Sequence, residues 1–241
     1  AIWVYNIENR SKKQLTDDSF SDNGPVFSKC GNYLYFVSNR DFNLAFSSFE
    51  FNYLYNKASR IYALSLKKDS PRLFEPRETL EEVAPAKKDD SKDAKKESGK
   101  KDDKTVSIDF DGINQRIVAL PVSSGRYWNI QAVDNGIVYF DSKGFHNYDI
   151  KKREDIIIMD GIYNAVVSAN GKKFLYNSGK VYGVAKLTPK QKVGAGKLDL
   201  SQMEMRIDPR KEWTQIFNDG WRIFRDYFYV SNIHGVEWEA F

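Results

Sequence analysis

The residue types that most often bind metal ions or attack substrates are scarce in this sequence. It contains two histidines, His146 and His234, far apart in the chain, and a single cysteine, Cys30. A zinc site needs several His, Cys or carboxylate ligands at suitable spacing, and neither histidine has a cysteine close to it. We therefore predict no metal centre and no cofactor, and a lone cysteine excludes an internal disulfide.

Serine nucleophiles and phosphate-binding loops have recognisable sequence contexts, and both contexts are missing here. There is no Gly-x-Ser-x-Gly elbow. The run Ser28-Lys29-Cys30-Gly31 has one glycine and no Lys-Ser or Lys-Thr after it, so it predicts a turn. His234 is the histidine that a catalytic assignment would choose, but we favour a loop residue that orients the chain between two helices.

Two other polar residues have simpler interpretations. We predict that His146 is a surface residue at the opening of a strand. Arg40 follows the strongly apolar run 33–38 and could bind an acidic group of a ligand, but a salt bridge at a sheet edge is favoured. We consequently assign no catalytic, cofactor-binding or metal-binding residue within the 241 residues.

Composition limits the class of protein. The hydrophobic share of 41% supports a real core, and the aromatic share of 15% favours strands. No apolar run is long enough to span a membrane. The segment 87–104 holds eight lysines and six acidic residues, so it contributes +2 of the net charge of +4. Elsewhere in the sequence the basic residues are not clustered as a nucleic-acid-binding surface would require. We expect neither nucleic acid nor membrane as a partner.

Short strands separated by turn residues dominate the chain, and one segment interrupts them. Residues 78–105 consist largely of Lys, Asp, Glu, Ser and Ala, which cannot offset the entropy of ordering them. We predict a disordered surface insertion at 78–105, with a charged interaction tail as the alternative. Separately, we predict a long aromatic loop over 41–58 that partly covers a neighbouring surface. Strands are predicted at 2–7, up to 16, 25–28, 33–38, 60–66, 106–110, 116–121, 128–133, 137–140, 145–150, 155–159, 164–168, 173–176 and 180–185, with a final strand within 198–207.

A turn recurs at the same place in successive groups of strands. Ser28-x-x-Gly31 before an aromatic strand corresponds to Ser168-x-x-Gly171 before another, and Asp134-Asn135-Gly136 is a third copy. Four-stranded units that repeat in this way indicate propeller blades. A β-sandwich with the same number of strands stays possible, but it does not explain the repeated turn. We expect about three blades and the edge of another.

A long amphipathic helix follows the last strands. Asp208 can serve as its N-cap, with Pro209 at the first helical position. We infer that Gly220 permits close approach of another backbone, and that the aromatic stripe docks on something large. The apolar residues fall on one face at helical spacing: Trp213, Ile216, Phe217, Trp221, Phe224, Tyr227 and Phe228.

Several of these stretches together resemble the tricorn proteases. The run 27–40 resembles the repeats of TolB-like and tricorn-like propellers, although Lys29-Cys30 replaces the usual Pro-Asp of the turn. Residues 108–121, with a low-complexity insertion before them, are also similar. The most specific likeness is the closing segment, where 207–217, 221–229 and 234–238 are similar to the junction between the second propeller and the catalytic region.

This resemblance implies a mainly β fold with a partial propeller over 1–207 and the start of a helical catalytic subdomain over 208–241. It also implies a serine peptidase that degrades oligopeptides, with the propeller gating or guiding substrate access. The expected partners are peptide substrates, PDZ and catalytic domains of the same polypeptide, and further copies in a homo-oligomer. His234 does not correspond to the family's catalytic histidine, so no catalytic role is carried over.

Two alternatives to this interpretation stay open. One is a non-enzymatic propeller that binds peptides or proteins. The other is the propeller of a prolyl-oligopeptidase-like enzyme, which is disfavoured because the last blade leads into an aromatic helix. The chain has no initial Met or signal-peptide pattern, and we expect an inactive internal fragment of a longer protein. The compartment is left unassigned, with the cytoplasm favoured by the resemblance and export as the alternative.

Overall fold

The computed structural model describes residues 1–41, 43–55, 57–74 and 106–240, so the predicted insertion at 78–105 lies outside the described residues. The chain divides into two compact units, 1–198 and 199–241. Within the described residues, no helix is sufficiently long and apolar to cross a membrane.

The first unit consists of antiparallel sheets whose strands mostly follow one another along the chain. Among the described residues, blade 1 has the strand order β3-β4-β7-β8, blade 2 has β9-β10-β11-β12 and blade 3 has β13-β14-β15, while β1-β2 and β5-β6 are separate hairpins. The strands are β1 Trp3–Asn6, β2 Ser11–Gln14, β3 Asp22–Phe27, β4 Tyr33–Ser38, β5 Leu44–Ser47, β6 Asn52–Tyr55, β7 Arg60–Ser65, β8 Ile117–Ala119, β9 Trp128–Val133, β10 Gly136–Asp141, β11 Gly144–Asp149, β12 Glu154–Met159, β13 Asn164–Val167, β14 Lys173–Ser178 and β15 Val181–Lys186.

The repeated turn is confirmed in two blades down to its hydrogen bonds. In blade 1, Gly31 N donates to Ser28 O at 3.0 Å and Tyr33 N donates to Ser28 Oγ at 3.0 Å. In blade 3, Gly171 N donates to Ser168 O at 2.8 Å and the next strand again donates to the serine hydroxyl. Both glycines have positive φ, which favours glycine at this position. The third copy occupies the same place between β9 and β10, but Gly136 is already part of β10.

Strand periodicity explains why the central strands are apolar on both faces. In β4, Tyr33, Tyr35 and Val37 pack against blade 2, whereas Leu34 and Phe36 pack towards the hairpin β1-β2. Because successive side chains point to opposite faces, a strand between two layers has no solvent side. Every residue of β4 is buried for this reason.

Blade 2 repeats this arrangement between blades 1 and 3. Ile137 and Tyr139 of β10 belong to the core shared with blade 1, and Val138 and Phe140 belong to the core shared with blade 3. Phe140 is stacked on Phe145, with ring centroids 4.8 Å apart. Truncating a large buried aromatic to Ala typically costs about 3–5 kcal/mol, so these inter-blade cores dominate the stability of the first unit.

Three predictions about strands and loops differ from the structure in the described residues. The segment 41–58 is not a plain loop, because it contains the hairpin β5-β6, and two of its described rings do not cover a neighbour: Phe49 is 91% exposed and Phe51 is 80% exposed. Residues 106–110 do not form a strand, although Asp109 N bonds to Leu66 O at 2.9 Å.

The third difference concerns the end of the first unit. No strand forms within 198–207. Two backbone hydrogen bonds instead join residues 196–198 to β15: Val184 N donates to Gly196 O at 2.9 Å, and Leu198 N donates to Tyr182 O at 2.8 Å. This short pairing occupies the edge of blade 3 where a fourth strand would lie. Strand propensity alone could not predict this pairing, because a glycine-containing segment makes the contact through its backbone.

The second unit confirms the predicted helix α1, Pro209–Tyr227. Asp208 Oδ1 accepts from Arg210 N at 3.2 Å, which satisfies one free N–H at the helix start. Trp238 stacks on Trp221 with ring centroids 6.0 Å apart and donates its indole N–H to Trp221 O. The explanation given for Gly220 is wrong, because no described atom would lie within 4 Å of a Cβ added there.

Candidate functional site

The first strands of the three blades converge, and the boundary between two of them is polar. The strands β3, β9 and β13 each form the edge of their sheet, and β9 lies between the other two. Where β9 meets β13, side-chain amides replace apolar packing. We call this boundary the inner seam, formed by Trp128, Asn129, Gln131, Asn164, Ala165 and Val167.

Gln131 is the central residue of the inner seam. Its Nε2 donates to Ala165 O at 2.7 Å and its Oε1 accepts from Val167 N at 2.8 Å. A single side chain thus pairs with a C=O and an N–H on the edge of β13, as a neighbouring strand would. Edge strands carry unpaired backbone groups, and Gln131 satisfies two of them.

A bulge in β9 places the second amide of the inner seam. The register between β9 and β10 shifts near Asn129, whose φ is +50°. Asn is one of the few residues that adopt this left-handed conformation readily, and bulges redirect side chains in this way. Asn129 Nδ2 consequently reaches Asn164 Oδ1 at 2.6 Å and Ala165 O at 2.9 Å.

The inner seam offers hydrogen-bonding groups without charge. Amide side chains and strand edges can exchange hydrogen bonds with the backbone of a passing peptide, but they contain no acid, base or nucleophile. The sequence analysis missed these residues. Their signal was present as Asn129 and Gln131 at alternate positions of an otherwise apolar strand.

The prediction that His146 lies on the surface is wrong, because it is 3% exposed. Its Nε2 lies 2.9 Å from Asp141 Oδ1 and its Nδ1 lies 3.1 Å from Asp155 Oδ1. The ring stacks on Tyr139 with centroids 5.1 Å apart. Burial by itself lowers the pKa of His146, but the hydrogen bonds and charges of Asp155 and Asp141 outweigh it and leave the pKa raised.

This arrangement is unsuited to proton abstraction. Both ring nitrogens of His146 face carboxylates, which favours the imidazolium form with two N–H donors. An imidazolium has no lone pair to accept a proton from a nucleophile. We assign His146 a role in holding β10, β11 and β12 together.

The predicted salt bridge of Arg40 is confirmed. Its Nη2 donates to both carboxylate oxygens of Asp22, at 2.9 and 3.1 Å, and its Nε donates to Ser38 Oγ. The guanidinium also lies 4.7 Å from the ring centroid of Phe20 and 5.3 Å from that of Tyr62. With these contacts made, Arg40 is not directed at a ligand.

The remaining candidates are separate from the inner seam. Cys30 is exposed, and Ser28 is buried in the turn. In the second unit, His234 lies in the short 3₁₀ turn Ile233–Gly235 with φ of +55°, and its Nε2 is 2.5 Å from the hydroxyl of Tyr229. Within the described ranges, no group of His, Cys, Asp and Glu side chains could hold a metal ion.

Comparisons with known families identify both units. Residues 1–188 match the family model of the tricorn protease second beta propeller domain, and residues 209–241 match that of the tricorn protease C1 domain. The boundary between these matches coincides with the passage from the sheets to α1.

Individual relatives agree with these assignments. Tricorn protease homolog 1 of Streptomyces coelicolor is 22% identical over 98% of this chain and 24% of its own length. The tricorn protease of Thermoplasma volcanium is 21% identical over 95% of this chain and 22% of its own length. This chain thus spans about a quarter of the length of the first of these relatives, 24%.

A solved structure has the same fold. The crystal structure of the tricorn protease superposes with a TM-score of 0.68 at 16% identity, over 99% of this chain and 23% of that one. At this identity the likeness concerns the fold alone. The family models cover most of the sequence, with the second propeller domain matching residues 1–188 and the C1 domain matching residues 209–241, and this chain therefore belongs to the tricorn protease family.

Proposed function

We propose that this chain is the substrate-guiding, non-catalytic part of a serine-type peptidase that degrades oligopeptides. The observation that carries the proposal is the inner seam, an uncharged hydrogen-bonding surface where the first strands of the blades converge. A peptide passing this surface can form transient backbone hydrogen bonds without being held by a charge. Catalysis is assigned to other parts of the longer polypeptide, including its PDZ and catalytic domains.

Family membership supports a peptidase as the whole protein, since the relatives are named as tricorn proteases. The occupied nitrogens of His146 support a propeller without a general base of its own. A large homo-oligomer is part of the same proposal and rests on the family resemblance.

The proposal is tested first by activity. The longer protein should hydrolyse fluorogenic peptides and lose this activity with a serine-directed inhibitor, while the 241-residue chain alone should show no turnover. Hydrolysis by the isolated chain would overturn the non-catalytic assignment. An inactive longer protein that still binds peptides would favour a non-enzymatic binding propeller instead.

The guiding role is tested by narrowing the path at the inner seam. Asn164 is exposed at the start of β13, so Asn164→Trp adds bulk beside the seam. In the longer protein we expect kcat/KM to fall more for a long peptide than for a short fluorogenic one. Lys180→Trp, in the exposed turn between β14 and β15, is the control. Equal losses for both substrates would refute passage along the seam.

A further inference from the structure

A concave surface between blades 1 and 2 has no part in the proposed function. Five segments of the first unit form it: the turn after β3, the strand β4, residues 71–74, the turn before β10 and the turn after β11. It has a volume of about 770 Å³, within the usual range of ligand pockets. None of its lining residues belongs to the inner seam. We call it the basic cleft.

Positive charge predominates around the basic cleft. Its lining includes Lys29, Arg72, Lys151 and Arg153 against the single carboxylate of Asp134, four positive charges against one negative. In the described part of the chain, no ion pair is formed by Lys29, Arg72 or Lys151. Lys29 Nζ instead reaches Ala169 O at 3.4 Å. The charges of these three residues are therefore not neutralised by carboxylates of the described residues.

The lining of the basic cleft also includes apolar and aromatic side chains. Tyr33 and Tyr35 are buried neighbours with ring centroids 6.5 Å apart, and Leu73 and Ile150 pack against the same core. The guanidinium of Arg153 lies 5.3 Å from the ring centroid of Phe74. A ligand that fits this surface needs carboxylates for the cations and apolar groups for the rings.

We propose that the basic cleft binds acidic oligopeptide segments, with carboxylates at its cations and apolar side chains against its aromatic lining. The cations come from three separate segments of the chain, which suits an extended ligand with several carboxylates better than one compact anion. The glycine-rich loop that cradles phosphates is absent from the turn at Ser28–Gly31. This binding is independent of the guiding role and of catalysis.

The test is fluorescence anisotropy on the full chain with a labelled synthetic peptide of alternating Glu and Leu. Its Gln-Leu counterpart measures the contribution of charge. The acidic peptide should bind at least about tenfold more tightly than the Gln-Leu peptide at low salt, and the preference should shrink at high salt because ions screen exposed charges. Equal binding of the two peptides would overturn the proposal.

Charge reversal locates the binding site. Arg72→Glu and Lys151→Glu should each weaken binding of the acidic peptide about tenfold, whereas Lys180→Glu should change it by less than about twofold. Lys180 is an exposed lysine outside the cleft, so its reversal changes the net charge equally. If Lys180→Glu weakens binding as strongly, the attraction is diffuse and the site is refuted. Circular dichroism of each variant verifies folding.

Cys30 supplies a direct probe of occupancy. It is the single cysteine, it is exposed and it belongs to the cleft lining. The acidic peptide should slow alkylation of Cys30 by iodoacetamide, measured by mass spectrometry, and the Gln-Leu peptide at the same concentration should not. An unchanged alkylation rate at saturating acidic peptide would place the binding elsewhere and overturn the proposal.

Discussion

The buried salt bridge between Arg40 and Asp22 makes a sharp prediction about stability. The Asp22 side chain is 0% exposed and that of Arg40 is 13% exposed. Asp22 begins β3, the converging strand of blade 1, and it pairs in register with Ser38 at the end of β4. The salt bridge therefore fixes one end of a strand whose partners in blades 2 and 3 form the inner seam.

Replacing Arg40 by Met removes the cation and keeps much of the side-chain volume. The carboxylate of Asp22 then stays buried without its bidentate partner, and breaking a buried pair in this way costs about 3–5 kcal/mol. A change of 1 kcal/mol shifts the Tm of a domain of this size by about 2–4 °C. We expect Arg40→Met to lower the Tm by roughly 6–20 °C.

Thermal and urea unfolding of the full chain, followed by circular dichroism, measure this loss. The double variant Asp22→Asn with Arg40→Met removes both charges and should recover much of the stability lost in Arg40→Met, because no buried charge is left unpaired. Arg40→Lys is the intermediate case, since an ammonium can still pair with Asp22 but lacks the separate Nε that donates to Ser38 Oγ. If the double variant is as unstable as the sum of the single variants, the two side chains are not coupled and the reasoning fails.

Four further substitutions test other parts of the structure. The pKa of His146 is raised in the folded protein, so its charge stabilises the fold fully below the unfolded pKa of about 6.5, and this stabilisation is lost as pH rises through the folded pKa. The free energies of unfolding of wild type and His146→Gln, measured in urea, should therefore converge at alkaline pH. A difference that grows with pH would contradict this. Gln131→Leu should cost about 1–3 kcal/mol in urea unfolding, because the Val167 N–H loses its side-chain partner and Ala165 O keeps only the hydrogen bond from Asn129; an unchanged midpoint would refute that. Gly136→Ala would place a Cβ 2.1 Å from the carbonyl oxygen of Tyr148, so a loss of about 1–3 kcal/mol is expected and an unaltered Tm would count against it. Gly220→Ala should increase helix content and stabilise α1 by up to about 1 kcal/mol, because the added methyl meets open space among the described residues; reduced helicity by circular dichroism would reveal a contact at that glycine.

Much of the fold was predictable because local chemistry determines it. The apolar run of β4 and the Ser-x-x-Gly turns are local features of a single hairpin, so they identify the repeating unit wherever they occur in the sequence. The helix α1 was equally predictable, from Asp208 as N-cap to the spacing of its aromatic stripe. Interactions between distant backbone segments were not predictable in this way, as the pairing of Gly196 with β15 illustrates.

Residue type alone was a poor guide to the polar sites, because packing between strands decides what each side chain does. A histidine after a turn is compatible with the surface, and only the facing carboxylates of Asp141 and Asp155 make burial of His146 favourable. Gln131 carries no chemical signature, yet it makes two hydrogen bonds to β13, and its neighbour Asn129 reaches the same strand through a bulge that no propensity scale encodes.

The polar residues also divide according to how far they are removed from water. Where a carboxylate is removed from water, the molecule uses a charged pair, as with Arg40 and Asp22. At the half-exposed inner seam it uses neutral amides, and in the basic cleft Lys29, Arg72 and Lys151 form no ion pair with the described residues. Charges that are already paired in the interior cannot also attract a ligand. The surfaces that remain available for peptides are therefore the inner seam, which can bind any backbone weakly, and the basic cleft, which selects for acidic segments.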